Sequence, residues 1–153
     1  MTSEDGEGDW IRLGGLVDSS RVTICFYGDD LEPDELTRLL GMAPTHAHRP
    51  GDPVLSTRFR NTYKKGAWIL DLDDVEGADP EDAIIQLLQW LPVDDPIWLE
   101  LTAAFDVRIG LSLVLKDWTR GFSLGAATLE RLGALGLRLD VEIWYMPNPN
   151  EII

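Results

Sequence analysis

One stretch of the chain gathers the residue types that do chemistry. Between Met42 and Gly66 stand both histidines, His46 and His48, with Arg49, Arg58, Arg60, Lys64 and Lys65, and a single acid, Asp52. His46 and His48, two apart, can turn two imidazoles toward a metal with Asp52 as a third ligand, or share acid–base work. A His-x-His pair with no third histidine to complete the set is a weak metal signal, and no nucleophile stands beside it. No metal, cofactor or catalytic residue is therefore expected. The two histidines and five cations together make a candidate binding site for an anionic ligand. Charge balance is the competing explanation: a cationic loop folding back on an acidic body needs no ligand.

Other chemistry is poorly represented. Cys25 sits in a strand-like run with no basic neighbour in sequence to activate it, as a structural thiol would. There is no Gly-x-Ser-x-Gly elbow, no Gly-x-x-x-x-Gly-Lys phosphate loop and no Gly-x-Gly-x-x-Gly turn. The acids Asp71, Asp73, Asp74 and Glu76 lack the central glycine and terminal glutamate of an EF-hand loop.

The whole composition narrows the partners. Of 153 residues, 13 are Lys or Arg and 27 are Asp or Glu, a net charge of −14. Such a surface repels phosphate, so neither nucleic acid nor an anionic membrane is expected as a partner, and a basic protein is. Hydrophobic residues make up 44%, enough for one folded domain of this length. One cysteine excludes an internal disulfide and suits a reducing cytoplasm. The start lacks the basic-then-apolar order of a secretory signal, and no apolar run approaches the roughly 18 residues of a membrane span. A cytoplasmic location is expected.

The elements that must position these residues follow from periodicity. Val22, Ile24 and Phe26 alternate with polar neighbours as in a strand, and Gly28-Asp29-Asp30 breaks it. Pro33, Asp34 and Glu35 open a helix with Leu36, Leu39 and Leu40 on one stripe, closed by Gly41. Residues 42–66 read as a long loop. Ala67 to Leu72 is a second strand. Asp79-Pro80-Glu81-Asp82 begins a helix that carries Ile84, Leu87, Leu88 and Leu91 and stops at Pro92. Two strands are expected at 97–105 and 109–115, joined as a hairpin through Asp106-Val107-Arg108. A helix from Ser123 to Gly136 and a last strand to Tyr145 complete the order. Residues 1–20 form an acidic tail with a weak strand at 10–17, residues 21–147 a single domain, and 148–153 a C-terminal tail.

This order implies an α+β fold. Its mainly antiparallel sheet carries helices on one face, a ferredoxin-like sandwich of two strand–helix–strand units. The opposite face then stays open. Tyr27, Trp98, Glu100, Asp140, Glu142 and Trp144 are its candidate interaction residues, and two tryptophans there are compatible with a homodimer.

Tyr27-Gly28-Asp29-Asp30-Leu31, Pro33, Leu36, Leu39-Leu40-Gly41, Pro44-Thr45, Arg49-Pro50-Gly51 and Gly66-Ala67-Trp68 together resemble the bacterial and phage family called domain of unknown function 4279. The resemblance covers about residues 21 to 145. It implies a small bacterial cytoplasmic α+β domain without assigned chemistry, and brings no catalytic residues with it. The expected function is a non-catalytic protein-interaction module, of the immunity type if the basic partner is a toxin. The alternative is a regulatory domain that binds a small anionic ligand through the basic loop 42–66.

Overall fold

The computed structural model describes residues 15–55, 58, 60–72, 75–76, 79–92, 96–117 and 120–150. The elements in chain order are β1 (Ser19–Gly28), α1 (Pro33–Leu40), β2 (His46–His48), β3 (Gly66–Asp71), β4 (Val75–Glu76), α2 (Pro80–Trp90), α3 (Ile97–Ala104), β5 (Asp106–Leu115), α4 (Ala126–Ala134) and β6 (Arg138–Tyr145). The weak strand expected at 10–17 lies largely outside the described residues; within them, Leu16 makes an isolated bridge to Gly121.

Local signals set most of these boundaries. Pro33 opens α1, and Gly41, at φ 73°, closes it in the left-handed conformation that only glycine adopts freely. Asp79 caps α2 by accepting the Glu81 N–H at 3.0 Å, with Pro80 in the first turn.

The sheet runs β2-β3-β1-β5-β6, with β4 also paired to β1. All pairings are antiparallel except β5–β6, which is parallel. The fold is thus α+β with a mixed, mostly antiparallel sheet. The two expected units are not equivalent in their connections. After α1 the chain returns through β2 at the far edge and then β3 beside β1, whereas α4 leads straight to a parallel neighbour of β5.

Residues 97–105 differ from expectation: 97–104 form helix α3 with Phe105 as its cap, not a strand, and there is no hairpin before β5. Both periods fit this short apolar run, so alternation alone could not separate them. Trp98 and Leu101 turn inward at helical spacing while Leu99, 73% exposed, points away. Thr102 donates its hydroxyl to the Trp98 carbonyl one turn back, at 2.8 Å. The Asp106-Val107-Arg108 stretch, expected as a turn, is the start of β5 and pairs with β1.

Val22, Ile24 and Phe26 of β1, Trp68 and Leu70 of β3, and Val107 to Leu113 at alternate positions of β5 all point to one side. Leu36 and Leu40 of α1, Ile84, Leu87 and Leu88 of α2, Trp98 and Leu101 of α3 and Leu132 of α4 join them in one core. All four helices therefore cover the same face of the sheet. Among the described residues no helix is long and apolar enough to cross a membrane.

Candidate functional site

Alternation along the strands places the other side chains on the face that no helix of the described residues covers. The paired registers give its rows: His46, Ile69, Cys25, Arg108 and Arg138 in one, and Asp71, Thr23, Gly110 and Asp140 in the next. Tyr27, Glu142 and Trp144 belong to this face as well. Trp98 and Glu100 do not: both belong to α3 on the covered side, and Trp98 is buried, its indole N–H donating to the Pro92 carbonyl at 2.9 Å. Of the six residues expected as one interaction surface, four lie on this face, Glu100 lies on the helix side and Trp98 is in the core.

The open face is internally paired. Arg108 bridges Asp106 and Asp140, the latter at 3.2 Å, and its guanidinium lies over the Tyr27 ring, 5.3 Å from its centre. Arg138 holds Asp140 at 3.0 Å. Hydrogen bonding from Arg138, with its charge and that of Arg108, holds the Asp140 carboxyl below the usual carboxylate range. Burial and a hydrogen bond with Cys25 push the Tyr27 phenol up to about 12. Burial also raises the Cys25 thiol, which makes it a poor nucleophile.

The cationic loop folds back on the acids. Arg49 donates to Glu32 at 2.9 Å and to Asp34 at 2.7 Å, and these carboxylates raise its guanidinium above its ordinary value. This contact ties the segment after β2 to the start of α1. Asp52 caps the turn by accepting the Arg49 N–H at 2.7 Å. Beyond it, Gly51 to Val54 pairs with Asn61 to Tyr63 in a narrow ribbon. His48 stacks on Tyr63 at 3.4 Å between ring centres, and His46 stands 3.8 Å from Asp71. A shallow cavity of about 540 Å³ opens here, lined by Thr45, His46, Ala47, His48, Asp52, Pro53, Leu55 and Tyr63. None of Arg49, Arg58, Arg60, Lys64 and Lys65 lines it. The two histidines share this cavity with Asp52, while the Arg49 guanidinium beside it is drawn to Glu32 and Asp34. Among the described residues no three metal-binding side chains converge.

A second concavity was not foreseen. It lies between α1 and α3, about 220 Å³ in volume. Leu36, Leu39, Ile97, Leu101, Ala104 and Phe105 line it, and Asp30, Glu32, Glu35 and Glu100 surround them. Glu32 is met by Arg49 and Glu35 by Arg38, the latter at 3.4 Å between two exposed side chains. Among the described residues Asp30 and Glu100 have no ion-pair partner. Asp30 was legible as part of the break after β1 and Glu35 as an acid of the helix start. Glu100 could not be joined to them while its segment was read as a strand.

No curated protein and no solved structure matches the chain. A family model does match, over residues 18–146, and the chain belongs to that family, described as a domain of unknown function, DUF4279.

Proposed function

We propose that this domain is a non-catalytic protein-interaction module that grips a basic partner through the groove between α1 and α3. The observation that carries this reading is the pairing of an apolar floor with four carboxylates around it. A cationic side chain with an aliphatic stem, such as lysine or arginine, meets both requirements at once. The volume lies below the roughly 300–1,000 Å³ of small-molecule sites, which favours one inserted side chain over a metabolite. The net charge of −14 would steer a basic partner toward this surface and speed its association. Neutralisation of a basic toxin, the immunity-type role, is one form this takes. The single buried Cys25 supports a reducing, cytoplasmic setting.

The strand order β2-β3-β1-β5, with β3 lying between the parallel strands β1 and β2, supports a ferredoxin-like core to which α4 and β6 are added. On that reading α1 and α3 are neighbours in the helix layer, which is what creates the groove.

The test is capture from the cells of origin at low and at high salt, with mass spectrometry of what is retained. A Glu35→Lys/Glu100→Lys variant serves as the comparison. A basic protein held at low salt, released at high salt and lost by the variant is the expected result. An empty capture at low salt, or equal capture by the variant, would sink the reading.

A further inference from the structure

Strand β6 is exposed in a way the rest of the sheet is not. Five large apolar side chains in six consecutive positions, Val141, Ile143, Trp144, Tyr145 and Met146, are 41–62% exposed. β6 ends the sheet, and among the described residues no strand pairs with its outer edge. Exposed apolar edges of this kind invite another strand. The main chain points the right way. Met146 donates its N–H to the Leu115 carbonyl, so in the alternating ladder the even-numbered residues of β6 bond β5. The N–H and C=O of Ile143 then face outward.

We propose that β6 pairs antiparallel with β6 of a second copy about a two-fold axis at Ile143, so that one sheet runs through both molecules. The charge pattern and the bounds of β6 favour this register: an axis at Leu139 or Tyr145 would leave at most three β6 residues facing β6, against five for an axis at Ile143. A continuous sheet requires residues opposite each other to share a face. With the axis at Ile143, Val141 faces Tyr145 on the helix side. On the open side Glu142 faces Trp144 and Asp140 faces Met146, so no acid opposes an acid. An axis at Val141 would set Asp140 against Glu142 twice, and an axis at Asp140 or Glu142 would set a carboxylate against itself. An axis at Trp144 would place Pro147, which has no N–H, opposite Val141 inside the ladder. With the axis at Ile143, Pro147 falls opposite Leu139, at the end of the ladder. A highly acidic chain thus presents one edge on which a second acidic chain can lie with no two acids directly opposite.

The experiment measures the mass of the whole chain in solution by light scattering and sedimentation over a range of concentration, in enough salt to screen the net charge. Ile143→Lys and Ile143→Cys variants are compared, with Val141→Cys as control. Ile143 is 62% exposed, so these substitutions leave the fold intact, which circular dichroism verifies. A concentration-dependent dimer is expected, weakened at least about tenfold by Ile143→Lys, which puts two like charges face to face. Ile143→Cys should cross-link under mild oxidation. The roughly 5.5 Å between Cα atoms of a hydrogen-bonded antiparallel pair lies in the range a disulfide spans. Val141→Cys should not cross-link. A chain monomeric at all concentrations, a dimer indifferent to Ile143→Lys, or cross-linking through Val141→Cys in place of Ile143→Cys would each overturn the proposal.

Discussion

Tyr27 reports most directly on how the open face is built. Its phenol, pushed up to about 12 by burial and the Cys25 hydrogen bond, is neutral in the fold at pH values where an unfolded tyrosine ionises. The sign follows from proton binding. Between the unfolded value near 10 and the folded value, the native state holds a proton that the unfolded state has lost. Stability therefore falls as pH rises through that window. Denaturant unfolding at stepped alkaline pH should show a steeper decline in the native chain than in Tyr27→Phe, which keeps the ring over which Arg108 lies. Absorbance titration should lose a step near pH 12 in the same variant. Equal slopes for the two proteins would mean that the phenol is not held in its neutral form. Arg49 makes a different point at this scale. Its charge was visible in sequence as part of a basic site, yet it is occupied by Glu32 and Asp34, residues 17 and 15 positions away.

At the scale of elements, α3 matters most. In a strand Leu99 and Leu101 would share a face, and truncating either would cost alike. In the helix Leu101 is buried and Leu99 exposed. Leu101→Ala should lose about 2–5 kcal/mol, as truncations of buried leucines do, and Leu99→Ala should stay within roughly 0.5 kcal/mol. Thermal or urea unfolding of the two variants decides it, and similar losses would restore the strand. The helix also explains why the groove was hidden. Glu100 reaches the acids of α1 only because a helix carries Ile97, Glu100, Leu101 and Ala104 along one side. The strongly patterned elements were easier. α1 and α2 carry caps, prolines and leucine stripes that agree with one another, and their ends were legible.

Over the whole molecule the net charge of −14 is a source of self-repulsion as well as of steering. The ion pairs of the open face and of Arg49 oppose it only locally, and their partners are largely solvated. Salt should therefore stabilise the monomer, because screening weakens many long-range repulsions and few close attractions. Relief of about 1 kcal/mol corresponds to roughly 2–4 °C in Tm for a chain of this size. Calorimetry of the Ile143→Lys variant, which removes the contribution of pairing, measures this. A Tm that falls with salt would show that the ion pairs outweigh the repulsion.

The amino-acid order by itself determined the acid excess, the cationic histidine-bearing segment, the α+β class, the helices α1 and α2 and the period-two faces of β1, β3, β5 and β6. These depend on residues within a few positions of each other, where propensity, capping and alternation act. Tertiary structure decided the rest. It chose helix over strand for residues 97–104, where both periods suited the same apolar run and burial of Trp98 and Leu101 settled it. It set β6 parallel to β5 at the sheet edge, and so left Val141 and Ile143 in water despite their apolar pattern. It also divided the expected sites, drawing Arg49 onto the acids while leaving His46 and His48 on a separate cavity. Such pairings join positions far apart in the chain, and no local pattern encodes which distant face a side chain will meet.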